Sequence, residues 1–193
     1  MKPEELQTQT DEELVATALQ NQQALLVLIR RYEPRLLAYI RRISGVSVED
    51  AEDILQDSFV DAYRHLAEFD KSLKFSSWIY RIVHNRTVSA YRKRKKALGD
   101  MSLDDADVAF GRLLSSDLDT MRQTEKSLTA EKVRKILDGL PERDRAVLVL
   151  AYLEDKSYEE IGDILRSPQG TVATWIHRAK KKFLEQTRNQ PMI

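Results

Sequence analysis

The chain has 193 residues, 42% of them apolar and 32% charged, with five Pro and six Gly, a composition that supports one large or two small cores and favours helix over sheet. With no Cys, disulfides and thiolate zinc sites are excluded, and the longest apolar runs, residues 24–29 and 146–152, fall far short of the ~20 residues of a membrane span. No signal-peptide pattern opens the sequence, so a soluble, cytoplasmic protein is expected.

In chain order, Thr10 with Glu13 reads as a capping box opening a helix over 11–20. A second helical pattern covers 21–42, interrupted near Pro34 and stopped by Gly45. Ser47 caps a long helix to about residue 67, a polar loop spans 68–74, and a helix follows over 76–96. These make a four-helix N-terminal module, residues 1–96. Residues 97–126 lose helical periodicity and are read as a flexible acidic linker. Residues 127–193 then carry helical patterns at 128–140 and 142–153. A Ser157/Glu160 capping box opens a helix ending near Leu165, and Ser167 with Pro168 starts the last one. The fold class is therefore all-α, with two small helical domains.

The formal charge is zero, but it is segregated: residues 100–125 hold seven acids against two bases, and residues 174–188 five bases against one acid. On a helical wheel Ala51, Ile54, Leu55, Phe59, Ala62 and Leu66 share the core side of the third helix. The opposite side carries Glu49, Glu52, Asp53, Gln56 and Asp57 together with Val60 and Tyr63, either a contact for a basic protein or a solvated acidic face.

In the next helix Ile79, Ile82 and Val83 point inward, while Arg81, Asn85, Val88 and Arg92 form a stripe bordered by Trp78. Aromatic stacking contributes ~1 to 3 kcal/mol per base, so the stripe suits single-stranded DNA; the alternative is a core tryptophan beside a solvating basic tail. The preceding loop, Asp70, Lys71, Ser72, Leu73 and Lys74, has the short polar groups to hold an extruded base. In the C-terminal pair, Val172, Ile176, Ala179 and Phe183 form a buried stripe, and Thr174, His177, Arg178 and Lys181 project where a recognition helix meets a major groove. The alternative there is a non-binding helical hairpin.

The three histidines have no partners at metal-ligand spacing, and no phosphate loop or nucleophile motif is present. No metal, no cofactor and no enzymatic activity are expected.

Five segments in register, RRYEPRLLAYIRRISG, DAEDILQDSFVDAYRHL, FSSWIYRIVHN, LPERDRAVLVLAYLEDKSYEEIGDIL and the closing GTV with HRAKKKF, resemble the bacterial sigma factors of the extracytoplasmic-function (ECF) group. The resemblance implies a transcription initiation factor that binds core RNA polymerase and promoter DNA, takes no small-molecule substrate and does not insert in a membrane. Regulation by an anti-sigma factor is also implied. Asp53, Gln56, Asp57, Phe59, Val60 and Tyr63 would meet the clamp coiled coil of the beta-prime subunit, with Phe59 outward where the wheel puts it inward. The beta flap is a further expected contact.

The loop from Asp70 to Lys74 with Trp78, Arg81, Asn85 and Arg92 would capture the melted −10 strand. Gln169, Thr171, Ala173, Thr174, His177, Arg178 and Lys181 would read the −35 element. The linker would either lie as an anionic strand in the polymerase channel or serve as a plain tether. Departures from the family pattern fall at Ala173 and Trp175, where bases are common, at Arg166, where glycine is common, and at His84 and Ser89. Two other readings stay open: a conventional helix-turn-helix regulator whose N-terminal half senses a signal or dimerises, and a sigma-like interaction protein without promoter activity.

Overall fold

The computed structural model describes residues 3–97 and 125–189, which form two helical bundles packed against each other. The N-terminal bundle contains α1 (Pro3–Gln7), α2 (Asp11–Ala18), α3 (Gln22–Ser44), α4 (Val48–His65), a 3-10 turn (Leu66–Glu68) and α5 (Phe75–Ala97). The C-terminal bundle contains α6 (Glu125–Asp138), α7 (Glu142–Tyr152), α8 (Tyr158–Leu165) and α9 (Gln169–Asn189). The expected acidic linker falls mostly on residues outside those described, although α6 begins within its predicted span.

Local chemistry accounts for most helix boundaries. The Thr10 hydroxyl accepts from the Glu13 N–H at 3.2 Å, and the Glu13 carboxylate accepts from the Thr10 N–H at 2.8 Å, closing the predicted box. Ser47 accepts from the Asp50 N–H at 3.1 Å, and Gly45 ends α3 at φ 63°, where a Cβ would be strained.

Three details differ from the sequence reading. A five-residue α1 precedes the four predicted helices of this half. Pro34 does not interrupt its helix: α3 runs unbroken for 23 residues. The one hydrogen bond that proline removes is outweighed by a continuous buried stripe, Leu28, Tyr32, Leu36, Tyr39, Ile40 and Ile43. The last helix also starts at Gln169, with the Pro168 carbonyl accepting from the Thr171 and Val172 N–H groups of the first turn, one residue later than predicted.

α3 is the spine of the N-terminal half, packing on α1, α2, α4 and α5, while α7, α8 and α6 pack on α9 in the other half. Buried Asp144 of α7 is fastened to Lys182 of α9 at 2.5 Å. The halves meet where α8 lies on α5 and α7 on α3. That seam orients every candidate surface.

Candidate nucleic-acid and protein interfaces

α4 buries Ala51, Leu55, Ser58 and Ala62, so the side chains half a turn away face solvent. Asp53, Gln56, Asp57, Val60 and Tyr63 are all exposed, Val60 at 42% and Tyr63 at 49%. Phe59 and Ile54 are half-buried against the core, so Phe59 lies between the inward position of the wheel and the outward position of the family pattern. Along one edge Arg86 of α5 reaches Asp61 at 2.5 Å and Asp57 at 3.5 Å, and its hydrogen bond holds the Asp61 carboxyl below the usual range.

The loop before α5 is preset by its own backbone. Asp70 accepts from the Ser72 N–H at 2.9 Å and its carbonyl accepts from the Leu73 N–H at 3.0 Å. The Ser72 backbone bond keeps the Asp70 carboxyl ionised to lower pH than usual. Asp70, Lys71, Ser72 and Lys74 are exposed, whereas Leu73 packs against the core.

Trp78 departs from expectation. It is only 6% exposed, enclosed by Phe69 at 5.3 Å and Phe75 at 5.7 Å between ring centroids, with Tyr32 edge-on to Phe75 at 5.5 Å. Residues 75, 78, 79, 82 and 83 share one helical arc, which makes the indole a core aromatic and not a border of the outer stripe. Asn85 and Arg92 are exposed, and Arg81 and Val88 half-buried, so the stripe exists without its stacking ring.

Two cations, one on each side of that stripe's centre, reach acids of the C-terminal bundle: Lys74 Nζ is 3.3 Å from Glu160 Oε1, and Arg92 is 3.4 Å from Glu142 Oε1. Beside them Glu154, 3% exposed, accepts from the Tyr80 hydroxyl at 2.6 Å and from Arg42 at 2.7 Å, with Arg35 Nε at 3.7 Å. Burial, and then the carboxylate, push the Tyr80 phenol upward, so it stays a donor; Lys156 lies 4.6 Å over its ring. Sequence reasoning missed Glu154. A lone acid after an apolar run signals nothing until its partners, 74 to 119 residues away, are placed.

In the helix-turn-helix, the Ser157/Glu160 box is made in both directions, at 2.9 and 3.2 Å. Arg166 adopts φ 51° as the cap of α8, the left-handed slot its position predicted, and donates its N–H to the Gly162 carbonyl. A Cβ on Gly162 would lie 2.7 Å from the Ser167 carbonyl, so only glycine lets the turn close. α9 buries Val172, Ile176 and Ala179, with Phe183 half-buried. Gln169, Thr174, His177, Arg178 and Lys181 are exposed on the other side, with Thr171 and Ala173 half-buried on the flanks. Trp175 is half-buried beneath the Arg143 guanidinium, 4.8 Å from the ring centre, so α7 brings a cation beside α9 that neither helix pattern revealed.

Family models match two stretches of the chain, Sigma-70 region 2 over residues 28–97 and Sigma-70 region 4 over residues 130–183. The chain belongs to the sigma-70 family, as a member of the ECF group. It is 36% identical to the ECF RNA polymerase sigma factor SigW of Bacillus subtilis (strain 168) over 179 residues, 88% of this chain and 91% of that one. It is 31% identical to the ECF RNA polymerase sigma-E factor of Haemophilus influenzae over 191 residues, 95% and 97% of the two chains. Among solved structures, CnrH in complex with the cytosolic domain of CnrY matches with a TM-score of 0.67 at 26% identity, covering 94% of this chain and 99% of that one. The sigma factor RpoE of Bartonella quintana, in complex with the anti-sigma factor NepR, matches in fold with a TM-score of 0.61 over 84% of this chain and 96% of that one. A sigma factor of this group directs RNA polymerase to promoters, and the helix-turn-helix regulator and promoter-inactive readings are not favoured. Among the described residues no helix is long and apolar enough to cross a membrane, and no His, Asp and Glu cluster is placed to hold a metal ion.

Proposed function

We propose that residues 1–96 bind core RNA polymerase and the melted −10 strand, that 97–126 tether the halves, and that 127–193 read the −35 element. The observation that carries this is α4: exposed Val60 and Tyr63 set among Asp53, Gln56 and Asp57 form an apolar-in-acidic face. Such a face costs solubility unless a basic partner covers it, and the beta-prime clamp coiled coil is the partner that the family supplies. Phe59 supports the face from its half-buried position. The beta flap is the corresponding polymerase contact of the C-terminal bundle.

On the DNA side, Asp70 to Lys74 form a prefolded loop beside Arg81, Asn85 and Arg92, with Trp78 stiffening the surface from beneath. Gln169, Thr171, Ala173, Thr174, His177, Arg178 and Lys181 line the outward side of α9. The chain works by binding alone, in the cytoplasm with its polymerase, trapping unstacked bases without catalysis. CnrH is solved in complex with the cytosolic domain of CnrY and RpoE with the anti-sigma factor NepR, and an anti-sigma factor is proposed here on that likeness.

Asp53→Arg with Gln56→Ala tests the clamp assignment. Co-purification with core polymerase should fall by at least tenfold while the far-ultraviolet circular dichroism stays that of wild type. Retained co-purification would remove the α4 assignment, and absence of promoter-dependent transcripts from wild type plus core would remove the function.

A further inference from the structure

We infer, resting on the −35 reading of α9, that Arg143 of α7, seated on the Trp175 ring, is a further DNA contact that takes a backbone phosphate beside the recognition helix. Thr174, His177 and Lys181 are exposed along the middle of the outward side of α9, where base edges would lie. Residues 171, 175, 178 and 182 follow one another at three- and four-residue spacing and so share one edge of the helix. An edge of a helix laid in a major groove faces a groove wall, and that wall is phosphate.

The first turn of α7 meets that edge at two points. Lys182 is fastened to buried Asp144, so its charge is neutralised inside the bundle. Arg143, the preceding residue of α7, is exposed, and its guanidinium carbon lies over the Trp175 ring, 4.8 Å from the centroid. Both acids next to it in the chain are taken, Glu142 by Arg92 and Asp144 by Lys182. Among the described residues no carboxylate stands within ion-pair distance of Arg143. A cation in the first turn of a helix also opposes the helix dipole. The charge of Arg143 thus works against the helix that bears it, and an anion from outside would relieve it.

Trp175 supplies the seat. It is half-buried and packs against the core, which fixes the ring and leaves it able to carry a cation. A guanidinium resting on a ring has lost rotamer freedom beforehand, while the N–H groups around its rim stay available for the paired oxygens of a phosphate. Arg178, exposed on the same edge one turn further along α9, adds a second cation to the wall. The ligand that fits is the sugar-phosphate backbone of duplex DNA. Phosphates carry no sequence information, so Arg143 would hold the bundle in register and leave the choice of sequence to the middle of α9.

Anisotropy titrations of the full chain on two short fluorescein-labelled duplexes of unrelated sequence, repeated over a range of salt, test the contact. Arg143→Ala should weaken binding to both duplexes alike, by roughly fivefold, and lower the slope of log affinity against log salt by about 0.9, the value of one lost phosphate contact. Trp175→Leu keeps an apolar side chain beneath Arg143 but removes the ring, and should weaken binding roughly twofold to threefold. A purely structural role for Arg143 would move the urea midpoint and leave the salt slope alone.

Unchanged affinity and slope in Arg143→Ala would overturn the contact, and so would a loss confined to one duplex, since Arg143 would then be reading bases. Weaker binding in Arg143→Ala but not in Trp175→Leu would overturn the seat. Because Arg143 is solvent-facing, Arg143→Ala decides even where Trp175→Leu fails to fold. The −35 reading has its own arm: Arg178→Ala with Lys181→Ala should weaken binding roughly tenfold or more. Unchanged binding in that pair would remove α9 as the DNA surface, and the Arg143 contact with it.

Discussion

α4 and α5 are neighbours in one bundle, yet α4 leaves Asp53, Gln56, Val60 and Tyr63 in solvent whereas α5 meets acids on two sides, Arg86 and Arg94 reaching Asp57, Asp61 and Asp50 of α4 and Arg92 reaching Glu142 from the far end of the chain. The difference lies in which charges the chain can satisfy internally. The C-terminal bundle's inner side carries Glu142, Glu154 and Glu160, so it suits a basic surface. A face that the chain cannot cover with itself is left for another molecule.

The comparison breaks first at Trp78. If the covered face is built on the Phe69, Phe75 and Trp78 cluster, Trp78→Ala should remove about 3 to 5 kcal/mol of stability in urea titration, and Trp78→Phe much less. A midpoint unchanged by Trp78→Ala would return the indole to the solvent stripe. Next, Gly162→Ala must move the Ser167 carbonyl, and should lower stability by about 1 to 3 kcal/mol in the same titration.

Acid should act on α5 through its histidine. The His84 Nδ1 shares a hydrogen bond with the Tyr39 hydroxyl at 2.9 Å, and burial, followed by the charge of Arg92, lowers its pKa from 6.5 to about 4. In the unfolded chain the imidazole takes up a proton near pH 6.5, while in the folded chain it does so only near pH 4. Stability should therefore fall as pH drops through that window, by about 3 kcal/mol, and His84→Gln should flatten the slope.

Smaller effects sharpen the contrast. Arg166→Gly relieves a left-handed residue but loosens the unfolded chain, for a net gain of about 0.5 to 1 kcal/mol in thermal unfolding. Val60→Ser with Tyr63→Ser should shift the urea midpoint by no more than about 0.5 kcal/mol while abolishing polymerase co-purification, the mark of a face that serves contact and not folding.

Much of this molecule is legible in its sequence because the signals are local. The Thr10, Ser47 and Ser157 caps, the Gly45 and Arg166 stops and the outward residues of α9 each follow from neighbours within a few positions. The sequence leaves Trp78 open because a bulky aromatic at the edge of a basic stripe fits both a wet and a dry position, and only Phe69, supplied by the preceding loop, decides between them. Pro34 was overweighted since helix rules count a lost backbone bond and not the apolar stripe beside it. The seam was invisible for another reason: Glu154, Tyr80 and Arg42 belong to segments whose meeting depends on how two finished bundles dock.

Arg145 shows how such a seam can be supplied from within one bundle. Its guanidinium donates to the carbonyls of Asp138 at 2.7 Å and Leu140 at 3.2 Å, closing the end of α6, and to that of Ile43 near the end of α3, also at 3.2 Å. A flat, five-donor fork can serve all three, whereas a lysine's single ammonium on a flexible stem could not hold the same spread. One side chain thus acts as both internal rivet and mooring post: the C-terminal half carries part of its berth whether or not it is docked, and on departure strands only the Ile43 oxygen, which water can reclaim.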